Sequence, residues 1–493
     1  MKYSTKLKNY YKWIFFLFPF LLISGPFFPD LIISCVSIFF LIKVVKNNEY
    51  YLLRNNIFYF LISFYLYLNI NSLFSHQPYI SFETSIPYIR FILFAFFLSY
   101  CLNLNFNLKK IIIISFSSSY IILLLDSLLQ LITGKNLLGY SIVNDRISSF
   151  FGDHLIMGSF VSRTLPLVIG LLFLENCKYR FFLQSSIFVI CGILVFLSAE
   201  RLSFAYFLIT FSLFIFFTLR KKNIFYVVSI LIVFFLFLHL AKPSSSFRLI
   251  THTVNQISET NKFSIFSYRH ELHYVTAYNI FKENFFFGGG LKSFRFLCDK
   301  DQIVPLNKIL LDNILNSPID GFFYIKKNNN SHSLIISKIP LVIDNQILNF
   351  NNVDLFHYLI GGEKNLLKFY KENGDFVYKG QPLVSAYDYH NGCNTHPHNV
   401  LMQFLSELGI FGIIFYFIVL FFLIKKILFI IIKKITNKSL IDNEYLNFFI
   451  LLGLLLSLFP LFPSGNFFNN WLSAIFYLYV GLLINTLKKH IKS

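Results

Sequence analysis

Charge is scarce in this chain. Only 14% of its 493 residues are charged, 56% are hydrophobic, and the mean hydropathy is +0.61. A soluble protein of this length needs far more polar surface, so lipid is the solvent for most of the sequence. Acidic side chains are the scarcer sign, 24 against 43 Lys and Arg. The net charge of +19 would suit a nucleic-acid binder, but the basic residues stand in short blocks between apolar runs, as membrane topology requires, and no nucleic-acid partner is expected. Cysteine is rare too. The six present make no C-x-x-C spacing, which removes support for zinc or iron–sulfur centres. The first apolar run lacks a small-residue cleavage site and a second follows at once, so no cleavable signal peptide is expected. Walker lysine and Rossmann glycine patterns are absent, which argues against nucleotide binding.

What the chain has in abundance is long apolar segments. A helix needs roughly 20 mostly apolar residues to cross the hydrocarbon core, and about twelve such runs stand between polar breaks, near 11–27, 29–43, 57–74, 85–102, 111–132, 154–175, 182–198, 202–219, 224–241, 400–424, 446–462 and 470–487. Alternate connections carry the Lys and Arg: Lys2 to Lys12, Lys43 to Arg54, Lys109 and Lys110, Lys178 and Arg180, Arg220 to Lys222, Lys425 to Lys438, and Lys488 to Lys492. By the positive-inside rule these connections and both termini are cytoplasmic. The expected fold class is an all-α polytopic membrane protein. Residues 1–241 hold nine helices, 242–399 form one large loop on the far side, and 400–493 hold three more helices. Within the loop, 253–287 is helically patterned, with Tyr268, Leu272, Val275, Ala277 and Ile280 as its apolar face, suited to lying on the membrane surface. A stretch from about 321 to 390 reads as a β-rich insertion of short alternating strands and turns.

Ionisable groups in or beside lipid are costly, so their short list is where function is sought. Ser198-Ala199-Glu200-Arg201 sets a guanidinium at a membrane face, fit either to hold a phosphate or to touch lipid headgroups. Arg269, followed by Gly288-Gly289-Gly290 and Arg295, combines cations with a backbone turn that either approaches a ligand or is a plain turn. Cys393-Asn394-Thr395-His396-Pro397-His398-Asn399 puts two imidazoles at a helix entrance, where a His serves as general base; metal binding is the weaker option, with no carboxylate cluster nearby. Asp126 and Arg163 are expected to form a pair, lining a pocket or serving structure alone.

Taken together, Thr395-His396-Pro397-His398-Asn399 and Glu407-Leu408-Gly409-Ile410-Phe411-Gly412 resemble the signature of the O-antigen ligase and polymerase family. The Ser198–Arg201 turn is similar to that family's S-G-x-R, with Ala199 in place of glycine. Arg269 with Gly288 to Phe294 resembles its R…G-x-G-x-x-F segment, and Pro463 to Trp471 its C-terminal outer turn. The likeness covers roughly 85–300 and 393–487 and leaves out the β-rich insertion.

That resemblance implies a metal-independent, cofactor-free glycosyltransferase of the type C class in a bacterial inner membrane, with the large loop periplasmic. The donor would be a glycan on undecaprenyl pyrophosphate and the acceptor lipid A core or another surface glycan. Arg201 and Arg269 would stabilise the departing pyrophosphate, and His398 would be the base for the acceptor hydroxyl, with inversion at the sugar carbon. His396, Arg295, Asn399, Gly288, Gly290, Arg163 and Asp126 would line the substrate site. Motifs do not separate ligase from polymerase. A transporter or flippase of the same lipid-linked glycans is the reading from another class, disfavoured by the lack of an internal repeat and by the one-sided loop. Cys298 and Cys393 bracket the insertion in what would be an oxidising compartment, and a disulfide between them is expected. Peptide mass analysis with and without reductant will show the two peptides linked; free thiols at both positions would end that expectation.

Overall fold

The computed structural model describes residues 2–104, 107–143, 145–218, 239–240, 242–251, 254, 268–298, 308–328, 331–338, 355–361, 365–389, 392–436 and 439–490. They fall into two compact units, 1–303 with 394–493, and 304–393.

The first unit is helical: α1 Lys2–Ile23, α2 Phe27–Lys46, α3 Asn56–Leu73, α4 Pro78–Ser85, α5 Ile89–Leu104, α6 Leu108–Thr133, α7 Met157–Leu172, α8 Arg180–Ser198, α9 Arg201–Thr218, α10 Tyr268–Glu283, α11 Val400–Ile435, α12 Asp442–Leu458 and α13 Asn470–His490. Each expected apolar run overlaps one of them except 224–241, which lies almost wholly outside the described residues. Seven stretches of the described residues are long and apolar enough to cross a membrane: α2, Pro78–Leu104, α6, α8, α9, α11 and Asn470–Leu487. Tyr11–Ile23 and Met157–Leu172 are shorter apolar helices.

Helix ends follow local chemistry. Asn55 and Asn399 cap α3 and α11 through side-chain oxygens that accept from Phe58 N at 2.8 Å and Met402 N at 3.1 Å. Gly134 at φ +79° closes α6. Within the bundle, aromatic packing dominates and buried polar groups are bonded in place. Pro166 interrupts α7, and the hydroxyl of Tyr479 fills the gap, accepting from Leu167 N at 3.0 Å and donating to Arg163 O at 2.7 Å. Gly453 leaves the room that the Tyr479 ring needs. Arg90, one of the few intramembrane charges, is structural: its Nε meets Asp30 at 2.7 Å and its Nη2 meets Asn470 at 3.1 Å, tying α2, α5 and α13.

The feature that shapes the outer half of α11 is a break at Gly409, φ +62° and ψ −160°. The turn after α10 packs against it backbone to backbone. Gly289 N and Gly290 N donate to Ser406 O at 2.8 Å and Glu407 O at 2.9 Å, and Ile410 N donates to Phe285 O at 2.9 Å. α10 itself lies along α11 and buries Leu272, Thr276, Ala277 and Ile280. Val275, expected on the apolar face, is instead exposed together with Tyr278, because the buried face of α10 meets protein.

The second unit is β: β1 Lys308–Asn316, β2 Gly321–Asn328, β3 Ser331–Ser337, β4 Leu355–Gly361, β5 Asn365–Phe369, β6 Phe376–Val377 and β7 Pro382–Tyr389. They form two antiparallel sheets, ordered β1-β7-β5 and β4-β3-β2-β6. Phe323 pairs with Ile336, and these two join Leu334, Val377, Leu383 and Val384 in a small core, the alternation of β3 sending Leu334 and Ile336 to the same face.

A Cβ on Gly288, at φ +69°, would sit 2.5 Å from the carbonyl carbon of Glu407, whereas one on Gly134 would meet nothing within 4 Å. Thermal unfolding in detergent should therefore separate them: Gly134→Ala costs about 1 kcal/mol of backbone strain, and Gly288→Ala about 3 kcal/mol because backbone must also move.

Candidate active site

Four imidazoles converge where α10 meets the entrance of α11. His270 and His273 sit one turn apart on α10, a spacing that puts both on one face. His398 is held at φ +54°, a left-handed conformation uncommon for any residue but glycine. Its ring centroid lies 4.2 Å from His396, 5.2 Å from His273 and 5.9 Å from His270. The flanking residues enforce this pose. Ser464 N donates to His398 O at 2.8 Å, and Asn399 donates through Nδ2 to Pro460 O at 2.6 Å and Phe462 O at 3.3 Å. Asn399, expected to bind substrate, thus has its amide committed to bracing this loop against the Pro460–Phe462 segment. Asn394 Nδ2 lies 2.9 Å from His398 Nε2, and with the amide as donor that nitrogen carries the lone pair.

Burial is the largest influence on these rings. It pushes His398 down to about 3, helped by the neighbouring His396, His273 and His270. His270 falls to about 4 through burial, then His273 and Arg201. His396 also falls to about 4, through burial first, with His273 and Arg295 adding to the effect. These three rings are therefore neutral at pH 7, and the charge of Arg201 is felt at His270 and that of Arg295 at His396. Arg269 lies in the first turn of α10, but its side chain is outside the described residues.

The glycine turn does not offer its amides to a ligand. Gly288 N donates to Asn284 O at 2.7 Å, and Gly289 and Gly290 donate to α11 as above. Just below, Gln403 spans Phe467 N, Asn466 Oδ1 and Glu407 Oε2 at 2.9, 2.8 and 2.9 Å. Glu407 is fully buried, and its Oε1 has no hydrogen-bond partner among the described residues.

The Ser198–Arg201 turn is built around Glu200. Ala199, at φ +51°, ends α8. Glu200 accepts from Gly158 N and Ser203 Oγ, both at 2.9 Å, and lies 3.6 Å from Arg146. Burial pushes its carboxyl up to about 7 against the pull of Arg146. Arg146 in turn donates to Ser198 O at 3.1 Å and Leu155 O at 2.7 Å, fastening the loop before α7 to the turn that presents Arg201.

Asp126 and Arg163 do not form the expected pair. Asp126 accepts from Leu137 N at 2.9 Å and Ser149 Oγ at 2.5 Å. Arg163 donates to Ser159 Oγ at 3.1 Å and lies over the Tyr206 ring at 5.2 Å. Asp126 is satisfied by the connection that follows α6 and Arg163 by its own helix and the Tyr206 ring, so the two charges need not meet. Cys298 and Cys393 are each disulfide-bonded, while Cys35, Cys101, Cys177 and Cys191 are free. Among the described residues no group of His, Cys, Asp and Glu has the geometry to hold a metal ion. Sequence reasoning missed His273 and Arg146. The His270-Glu271-Leu272-His273 spacing could have pointed to the first; nothing local marked the second.

An imidazole held neutral in the fold binds fewer protons than it does in the unfolded chain between its folded value of about 3 and the ordinary 6.5. Stability is then present above that window and falls as pH drops through it. Replacement by Asn, which tolerates the left-handed backbone, removes this contribution. Thermal unfolding between pH 7 and pH 4.5 will show a shallower loss of Tm for His398→Asn than for the unmodified chain.

A search of curated proteins returned no match. Residues 186–319, which take in the Ser198–Arg201 turn, α9, α10 and the glycine turn, match the family model described as O-Antigen ligase. That match covers about a quarter of the chain, and it is there that the chain is similar to the family.

Proposed function

We propose that this membrane protein is a glycosyltransferase that moves a glycan from undecaprenyl pyrophosphate to an acceptor hydroxyl at the periplasmic face of a bacterial inner membrane, with lipid A core as the acceptor. The observation that carries this reading is the neutral imidazole cluster around His398, flanked by Arg201 and Arg295. The family supports ligase- or polymerase-type transfer.

In the proposed reaction the acceptor oxygen forms a bond to the anomeric carbon as the bond from that carbon to the pyrophosphate oxygen breaks. The leaving group departs with the electron pair, and the hydroxyl proton passes to His398 Nε2, whose lone pair faces Asn394 in the resting protein. Inversion at the sugar carbon follows from attack opposite the leaving group. Arg201 and Arg269 hold the pyrophosphate and stabilise the charge that develops on it. His396 is the alternative base. Burial keeps the proton affinity of His398 low until an anion arrives beside it.

The purified protein, given lipid-linked glycan and a lipid A core acceptor in detergent, will transfer the glycan. His398→Asn, Arg201→Gln and Arg269→Gln will each lower the rate by about a hundredfold or more, while His273→Gln mainly shifts the pH profile. Full activity in the first three variants sinks the mechanism. In cells, loss of the protein leaves long carrier-linked chains if it is a ligase; single repeats would make it a polymerase.

A further inference from the structure

The chemistry above makes no use of the segment from Lys242 to Thr251, although this segment packs against the turn that presents Arg201. It opens as a short helix, Pro243–Ser246, and widens into a π-helical turn, Phe247–Thr251, a rare conformation that recurs at functional sites. Two anchors hold it. At its start, Lys242 Nζ donates to Asp145 O at 2.7 Å, next to Arg146 in sequence. Near its end, Leu249 is buried against Phe196 of α8, with Ile193 and Phe204 packed on the same cluster. Phe204 follows Arg201 by one turn of α9, so the Leu249 anchor brings Arg248 close to the Ser198–Arg201 turn. The charge of Arg248 is accordingly felt at both Arg146 and Arg201.

Three guanidiniums thus gather at one place, and their surroundings differ. Arg146 is taken up by Glu200 at 3.6 Å and by the carbonyls of Ser198 and Leu155. Asp145, the other carboxylate beside Arg146, acts on Lys242. Arg248 is different: its Nε is buried and has no hydrogen-bond partner among the described residues. A guanidinium N–H kept from water without an acceptor is costly, and a bound anion would supply the acceptor. Arg201 and Arg248 come from separate elements, α9 and the π-helical turn. Two donor forks delivered in this way suit an anion with oxygens on two phosphorus atoms better than a single phosphate.

We infer that Arg248 is a further ligand of the carrier's diphosphate, and that together with Arg201 it makes the site prefer a diphosphate head to a monophosphate. The inference rests on the function proposed above and adds a residue that reads the head group.

The test titrates full-length protein in phosphatidylcholine nanodiscs with farnesyl diphosphate and with farnesyl monophosphate, following the heat of binding. The unmodified protein will bind the diphosphate about tenfold or more tightly than the monophosphate. Arg248→Gln will weaken diphosphate binding about tenfold and leave monophosphate binding nearly as it was, erasing the preference. Arg248→Lys, which keeps the charge but not the fork, will lose less. Lys135→Gln removes an exposed cation from the connection that also carries Arg146, and it will change neither affinity. Phosphatidylglycerol added to the nanodisc will not compete; competition equal to that of farnesyl diphosphate would make Arg248 a contact for phospholipid headgroups and overturn the inference. Unchanged diphosphate binding in both Arg248 variants, or equal loss of both ligands, overturns it as well. An Arg248-dependent diphosphate preference in a protein that transfers no glycan would instead refute the proposed reaction and leave the diphosphate contact standing.

Discussion

The geometry of the candidate site depends on a broken helix being closed by a turn. Where α11 departs from helical geometry at Gly409, its carbonyls lose their usual partners in a region where unmet backbone groups are expensive. The amides of Gly289 and Gly290 supply two partners, Asn71 Nδ2 reaches Glu407 O at 3.2 Å, and the Tyr67 hydroxyl donates to Leu408 O. Only glycine permits this approach. A Cβ on Gly409 would lie 2.5 Å from Gly288 N, and one on Gly290 would collide with Ser75. The clasp fixes where α10 ends, and so which of its faces meets the entrance of α11.

From that contact the imidazole cluster follows with little freedom. α10 presents His270 and His273 to the loop that carries His396 and His398. Asn399 caps α11 with one amide atom and grips the carbonyls of Pro460 and Phe462 with the other. The left-handed backbone of His398 is strained, and it persists because residues on both sides are held by α11 and by the Pro463–Asn466 turn. A second brace of the same kind, Arg146 with Glu200, fixes the turn from which Arg201 starts α9.

The membrane character of the chain and the position of most helices were legible in the sequence because each rests on composition over about twenty residues, a signal that single substitutions cannot hide. The residues of the signature were legible as a group, but their division of labour was not. Asn399 and the glycines stand beside the histidines in sequence and read as ligand contacts; in three dimensions their polar atoms are taken by the backbone of α11 and the 460–463 turn. Asp126 and Arg163 looked like partners because two lone charges in neighbouring helices invite pairing. Asp126 instead found a backbone amide and a serine 11 and 23 positions away, contacts that depend on how the 134–149 connection folds back and that no periodicity reveals. Arg146 was invisible for the same reason.

A base with a proton affinity as low as that of His398 is at first sight poorly suited to accept a proton from a hydroxyl. The same burial that lowers it makes the site responsive to charge, because fields are screened less where water is excluded. The guanidinium of Arg201 raises the electrostatic potential at His270, and that of Arg295 raises it at His396. A pyrophosphate bound among them reverses the sign of the local field, and each imidazole then gains proton affinity. In the proposed reaction the negative charge on the leaving group is greatest as the glycosidic bond breaks, so proton affinity at His398 rises as the acceptor hydroxyl must release its proton. Leaving-group departure and base strength are thereby coupled through the field rather than through a dedicated carboxylate partner, which accounts for a base at this site that is supported by cations and an amide.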